Sequence, residues 1–542
     1  MNIKTYKMTK LFMSLGMTFF LSLSIFSQDS VLLRTEKVWY NSSFEDTGIY
    51  GVNTEKAWQF LKEQKRKPTD LIVAVLDGGI QADHIDLKAN MWVNPKEIPG
   101  NGKDDDKNAY VDDVYGWNFI GGKDGKNVDG DTLESVRVFK SVYVPLFEST
   151  DEAKNIENQN KYPEKYDEYL ELKSKIAKKQ NEAKANLVQY NSLLEQINNG
   201  FKPLIEFFGD QPITEENLSK YEPTEETMGA MMMFGMIPQE EWKGKTMQEI
   251  NDELTEQLND AVSYFNGQIE YHYNLEFEPR FIVGDDYDNK KEKDYGNNDV
   301  EGPDALHGTH VAGLVSAVRG NEKGIDGIAG NSVKIMAVRT VPNGDERDKD
   351  VANSIRYAVD NGAKILNMSF GKDYSPDKEV VWEAMRYAEK KGALLVKAAG
   401  NDNLNIDNDI HYPTNFDDEG NKVIESLLTV GASNPEPENL KASFSNFGIK
   451  SVDVFAPGNK ILSTAPHDKF RELQGTSMAS PIVAGVAALV WSHYPKLSAL
   501  EVKEVIMNSV NVNPQLENIS VTGGVIDAYK AVQLAEELYK KK

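Results

Sequence analysis

Three residues far apart in the chain have side chains that could cooperate in acyl transfer. Asp77 ends the apolar run "LIVAVLDGG", His307 opens "HGTHVAG", and Ser477 sits in "GTSMASPIVAGVAALV". A serine hydroxyl is a poor nucleophile at neutral pH. It needs a base within hydrogen-bond reach, and that base needs a buried carboxylate to fix its tautomer and stabilise the imidazolium. Taken alone, each residue also has a plainer reading. Ser477 could cap a buried helix, and Asp77 could be a turn residue. His307 and His310 form an H-x-x-H pair, but no helical Glu pattern beside it supports zinc, and His310 is read as structural. His84, His411 and His493 are read as packing or surface residues.

Such side chains meet only if the chain folds in a particular way. "LIVAVLDGG" is the continuous apolar run of a strand buried on both faces. From Gly302 onward helices and strands alternate. "HVAGLVSAV" reads as a helix and "VKIMAVRTV" as a strand. "VANSIRYAVDNG", "AKILNMSFG", "EVVWEAMRYAEKKG" and "ALLVKAAGN" continue the alternation. The expected fold class is therefore α/β, with a mostly parallel sheet covered on both faces. Ligands of such sheets bind beyond the carboxyl ends of the strands, where Asp77, Gly371 and Asn401 fall.

From Leu133 to Glu278 the composition becomes rich in Lys, Glu, Gln and Asn with helical periodicity. Tyr169, Ile176, Ala183, Tyr190 and Ile197 recur at heptad spacing. Met247, Ile250, Leu254, Leu258, Ala261, Phe265 and Ile269 form a second stripe. This predicts an inserted antiparallel helical hairpin at 133–278, dividing a catalytic region into 28–132 and 279–542. Both attachments lie near the catalytic face, so the pair should flank a cleft there. "MGAMMMFGM", within the insert, is expected to pack there, with a substrate or partner contact as the alternative.

Compartment and partners follow from the N-terminus and the composition. "MNIKTYKMTK" is basic, "LFMSLGMTFFLSLSIFS" is apolar, and "QDS" is polar. This is the layout of a signal peptide over 1–27, cleaved near Ser27–Gln28, and implies export to a periplasm or the medium with only transient membrane contact. The chain contains no Cys, so stability must come from its core, with help from metal, rather than from disulfides. A net charge of -25 argues against nucleic acid and anionic membranes as partners. A monomer is expected.

In "NGKDDDKNAYVDD", Asp104, Asp106 and Asn108 alternate, followed by the Tyr110 carbonyl and then Asp112 and Asp113. Alternating oxygen donors in a turn suit Ca2+, although the glycine and terminal glutamate of an EF-hand are missing and a solvated acidic loop is the alternative.

The blocks "VAVLDGG", "HGTHVAG", "NMSFG", "KAAGN", "VDVFAPG" and "QGTSMASP", in this order, resemble the subtilisin-like serine peptidases, over about residues 50–120 and 280–530. The resemblance implies a subtilisin-like three-layer fold and an exported endopeptidase acting on polypeptides. An exopeptidase of the same fold, or a binding protein with a dead site, remains the alternative. It further implies that Ser477 attacks, His307 moves the proton, Asp77 orients His307 and the Asn401 amide meets the oxyanion. Ser369, Phe370 and Gly371 would form an edge strand for substrate, and Ala399 and Gly400 would line the specificity pocket, whose preference is not legible. Asp86 resembles a calcium ligand of the family, with Asn321 as a loop partner. Two departures stand out. Gly78 replaces the usual Ser or Thr after the catalytic Asp, which removes one hydrogen bond to the carboxylate. No cleavable folding propeptide is expected between Gln28 and the catalytic region.

Overall fold

The computed structural model describes residues 25–26 and 38–542. Apart from Ile25–Phe26, the predicted signal peptide and its cleavage point lie outside the described residues.

The centre of the fold is strand β1 (Leu71–Asp77). Its Val73 and Val75 point into one apolar cluster and its Ala74 and Leu76 into another, so both faces are covered. The remaining strands are β2 (Gly116–Asn118), β3 (Val333–Arg339), β4 (Ile365–Met368), β5 (Leu394–Ala398) and β6 (Leu427–Ser433). They are followed by β7 (Val454–Pro457), β8 (Ile461–Ala465), β9 (Lys469–Leu473), β10 (Val510–Val512) and β11 (Gly524–Ile526). Nine of them form one sheet in the order β10-β11-β7-β6-β5-β4-β1-β3-β2. Every pairing is parallel except β10 with β11. β8 and β9 form a separate antiparallel hairpin, and the two-residue strand Ile25–Phe26 pairs antiparallel with β9 as its third strand.

Helices cover both faces, giving three layers. The first apolar cluster packs α1 (Thr54–Glu63), α4 (Leu306–Ser316), α7 (Thr476–His493), α8 (Ala499–Met507) and α9 (Ala528–Lys540) on the sheet. The second packs α5 (Asp348–Asp360) and α6 (Lys378–Lys390) on the other side. From Val483 to Val490, α7 is fully buried, which explains its Ala, Val and Gly composition. Each buried Val or Leu there contributes roughly 1.5–3 kcal/mol. Chain order reverses between β1 and β4, because β3 lies on one side of β1 and β4 on the other. A crevice opens at such a point beyond the strand ends.

Between β2 and α4 the chain is largely helical. α2 (Pro163–Phe208) and α3 (Met247–Gly267) pack against each other. Ile197, Phe201 and Leu204 meet Met247, Ile250 and Leu258 in a distal core. The Tyr190 and Phe265 rings lie 5.4 Å apart midway along the pair. Near the body, Val136, Phe139, Tyr169, Leu172 and Ile176 form a second core with Tyr273. A buried ionic network roots this end: Lys372 contacts Glu134 and Asp348 at 2.7 and 2.8 Å, and Arg347 contacts Asp131 at 2.7 Å. The methionine cluster is divided. Met231 and Met233 pack on the distal core, while Met228, Met232 and Met236 are exposed. Among the described residues, no helix is long and apolar enough to cross a membrane.

Candidate active site

Asp77 reaches the crevice as the last residue of β1, only 3% exposed. His307, in the first turn of α4, meets it: Nδ1 lies 2.7 Å from Asp77 Oδ1. Gly308 permits this approach, since a Cβ there would fall 2.2 Å from the Gly79 carbonyl and 3.1 Å from Asp77. Burial works against the imidazolium, but the charge and hydrogen bond of Asp77 outweigh it. The net effect raises His307 above its ordinary value. Asp77 Oδ1 also accepts the Gly78 N–H at 2.8 Å. Oδ2 is buried with no partner among the described residues, in keeping with the hydroxyl that Gly78 lacks.

Ser477 does not cap α7. The N-cap position is Gly475, with no side-chain capping bond, and Ser477 is the second helical residue. Its hydroxyl donates to the Ser369 carbonyl at 3.1 Å. No hydrogen bond joins it to His307 among the described residues. The Ser477 carbonyl would ordinarily accept the N–H four residues on, but that residue is Pro481, which has none. Ser369 Oγ donates to it instead, at 2.8 Å. Asn367 joins this contact to the helix, donating to Ser369 Oγ and accepting from Ser480 Oγ, both at 2.9 Å.

Asn401 follows the turn after β5. Its Oδ1 accepts from Thr476 N at 2.9 Å and Thr476 Oγ1 at 3.0 Å. The amide is thereby oriented with Nδ2 as the remaining donor. A Cβ placed on Gly475 would lie 3.5 Å from Asn401 Nδ2 and 3.6 Å from Ser477 N. The two donors therefore flank one small space at the start of α7, the arrangement that stabilises an oxyanion.

Ser369, Phe370 and Gly371 lie beyond the end of β4 rather than within a strand. The chain pairs only at Lys372, which exchanges backbone hydrogen bonds with Tyr412. Ala399 and Gly400 are buried across from them. Gly400 has φ +103, and a Cβ there would strike Asn446 and His411, so glycine is required. A cleft of about 500 Å3 runs along His307, Ser369 and Leu473, and its far wall includes Asp260, Ser263 and Tyr264 of α3. Arg471 of β9 is ion-paired to Asp260, tying the insert to the β8–β9 hairpin beside the cleft.

The metal candidates separate into two places. Asp104 and Asp106 converge with Glu97, which the sequence reading missed because it precedes the acidic run and joins it only through the turn. Glu97 Oε1 accepts the Asp105 and Asp106 N–H groups at 2.9 and 3.2 Å, whereas its buried Oε2 has no partner among the described residues. An orphaned buried carboxylate oxygen beside two more carboxylates fits a hard cation. Asn108 adjoins this set, its N–H donating to Asp104 Oδ1 and Asp106 Oδ1, both at 3.1 Å. Asn108 donates to Asp113 at 3.0 Å, and Asp113 also accepts from Asn94 and Tyr357. Burial outweighs these bonds and pushes Asp113 up to about 6. Asp86 lies elsewhere, accepting from Asn321 Nδ2 at 2.6 Å and Ile325 N at 3.1 Å. His310 donates toward the carbonyls of Ile461 and Arg471, both at 2.9 Å, and burial pulls it down to about 3.

A parallel sheet with a carboxylate, an imidazole and a helix-borne hydroxyl at its switch point is the layout of a serine hydrolase. The chain belongs to the subtilase family, whose model matches residues 69–524. It is 38% identical over 246 residues to the thermophilic serine proteinase of a Bacillus species, covering 44% of this chain and 55% of that one. It is 38% identical over 233 residues to thermitase of Thermoactinomyces vulgaris, covering 42% and 75%. Subtilisin DY of Bacillus licheniformis is 36% identical over 225 residues, covering 41% and 72%. The chain thus spans little more than half the length of the first of these relatives and about three quarters of the other two.

Proposed function

We propose that this protein is an exported serine endopeptidase working through Asp77, His307 and Ser477. The observation that carries the reading is the 2.7 Å contact of His307 with buried Asp77, beside a cleft whose Ser369 wall accepts a hydrogen bond from Ser477. Ser477 Oγ turns from the Ser369 carbonyl to His307, loses its proton there and attacks the scissile carbonyl. Ser477 N and Asn401 Nδ2 receive the oxyanion. His307 then gives the proton to the leaving amine, and water repeats the sequence on the acyl-enzyme. Residues 369–371 hold the extended substrate, and Ala399 and Gly400 line the pocket for its side chain.

Glu97, Asp104 and Asp106 would hold a structural Ca2+, and Asp86 with Asn321 would form a second place for one. The ion would bind only the folded chain and so stabilise it. Export rests on the signal-peptide pattern of residues 1–27, and the enzyme acts as a monomer on polypeptides. Because α3 walls the cleft, an exopeptidase is the second reading. The test combines fluorophosphonate labelling of Ser477 with cleavage mapping on an unfolded polypeptide. Labelling and internal cuts are expected. Cuts confined to chain ends would favour the exopeptidase, and absence of both would sink the peptidase reading.

A further inference from the structure

Lys397 is 1% exposed on β5, four residues before Asn401. Its ammonium donates to His411 Nδ1 at 3.2 Å and to the His411 carbonyl at 2.8 Å. It makes no ion pair among the described residues, although a lysine so buried ordinarily has a carboxylate partner. Glu346 acts on it only at longer range. Burial raises Glu346 well above the usual carboxylate range, against the pull of Lys372, so Glu346 is a poor counter-ion. Burial likewise pulls Lys397 down to about 7. Its charge would gain from any anion brought close.

His411 stands between Lys397 and the crevice. Burial, then the Lys397 charge, holds His411 well below its ordinary value, so the ring is neutral. With an ammonium donating to Nδ1, the ring proton resides on Nε2. A Cβ on Gly400 would fall 2.9 Å from Nε2, and one on Gly371 would fall 2.2 Å from Cε1. The Nε2 edge of the ring therefore lies between the two segments that hold substrate in the reading above. His411 as a whole is 9% exposed, and its Nε2 makes no hydrogen bond among the described residues.

We infer that the slot between Gly371 and Gly400 selects glutamate as the residue preceding the scissile bond. His411 is the specificity-determining residue and Lys397 a positioning residue behind it. This rests on the peptidase reading. An apolar side chain seated there would leave the Nε2–H without an acceptor, which costs free energy in a dry pocket. A carboxylate accepts that N–H and gives the buried ammonium its anion through one imidazole. Glutamine offers the same oxygen without the charge, so it isolates the Lys397 contribution.

The experiment measures kcat/KM on peptides identical except for Glu, Gln, Leu or Phe before the cleaved bond. Glu is expected to exceed Gln and Leu by about tenfold or more. His411→Ala should collapse the Glu:Leu ratio by at least about tenfold. Lys397→Met should bring the Glu:Gln ratio near one, which a merely structural role would not do. His411→Gln, which keeps an N–H donor, should restore part of the preference. A wild-type enzyme that prefers Leu or Phe, or a His411→Ala enzyme that keeps the Glu:Leu ratio, overturns the inference. Binding of N-acyl tripeptides ending in Glu, Gln or Leu to the Ser477→Ala chain needs neither substitution in the slot. Glu should bind about tenfold tighter, and equal binding counts against the proposal. Failure of wild-type labelling and of all cleavage would instead indict the peptidase reading, while this binding order still judges the slot.

Discussion

Ser369 and Ser477 exchange hydrogen bonds. The Ser477 hydroxyl donates to the Ser369 carbonyl at 3.1 Å, and the Ser369 hydroxyl donates to the Ser477 carbonyl at 2.8 Å. The second bond exists because Pro481 cannot occupy that carbonyl. Ser369 thus holds the backbone of the proposed nucleophile. Ser477→Ala should lower kcat by about a millionfold, the scale known for the subtilisin triad. Ser369→Ala should leave a buried carbonyl unmatched and cost about 1–3 kcal/mol of stability. Turnover and thermal unfolding of the two variants check this, and residual activity above a trace in Ser477→Ala would remove the triad assignment.

Asn401 serves the proposed oxyanion with Nδ2 and Thr476 with Oδ1. Asn401→Asp keeps the acceptor and loses the donor. It should cost about 2.7–4 kcal/mol in the transition state, the range measured for the equivalent asparagine of subtilisin, with added charge repulsion on top. KM should change little. A large rise in KM with unaltered kcat would mean that Asn401 binds substrate rather than the transition state.

Asp77 raises His307, and the general base must be neutral. The acid limb of kcat/KM should therefore lie above 6.5, with activity appearing as pH rises through it. Asp77→Asn should move that limb downward while lowering the rate. In stability the sign is opposite. A raised folded value stabilises most below 6.5, and this contribution fades as pH climbs through the folded value. A pH–rate profile with its acid limb below 6.5 would contradict the Asp77 contact.

Much of this site was legible because it depends on single residues at strand and helix ends. Asp77, Gly400 and Asn401 follow apolar runs whose length and composition mark buried parallel strands. The helical periodicity of the insert was legible in part. Tyr169, Ile176, Ala183 and Ile197 are buried. Only the distal end of the stripe shares a core with Met247, Ile250 and Leu258, while Tyr169 and Ile176 pack with Val136, Phe139 and Tyr273. His411 was not legible. It lies in an irregular loop without periodicity, and its meaning comes from Lys397 on a neighbouring strand and from two glycines distant in sequence. Glu97 was missed for a related reason. Phe370 and Gly371 looked like strand because "AKILNMSFG" runs on without a break, yet pairing stops at Met368.

The acidic loop makes a thermodynamic prediction. If Glu97, Asp104 and Asp106 hold Ca2+, excess calcium should raise Tm relative to chelator, and Glu97→Gln with Asp104→Asn should shrink that difference. At a free concentration of 100 times Kd the gain is about 2.7 kcal/mol. Melting curves that coincide with and without chelator would exclude the ion.

The insert makes the last prediction, and the structure dictates where to cut. Removing all of about residues 135–275 would take away Arg137, which pairs with Glu134 at 2.7 Å inside the buried network. Breaking such a pair costs about 3–5 kcal/mol, so loss of fold would hide any effect on access. The distal part is separable. Asn198 faces Thr255 at 3.3 Å, and Tyr190 faces Phe265 one step nearer the body. Joining the helices with a short flexible linker in place of about residues 193–262 removes the distal core together with Asp260 and Glu256. The root around Tyr169 and Tyr273 stays intact. This frees Arg471 and lowers the wall beside His307. Cleavage of short peptides should persist, while cleavage of folded proteins should rise relative to peptides by several-fold. High salt, which screens the partly exposed Arg471–Asp260 pair, should shift intact protein in the same direction. A shortened enzyme with the same ratio of protein to peptide cleavage would show that the insert does not govern access.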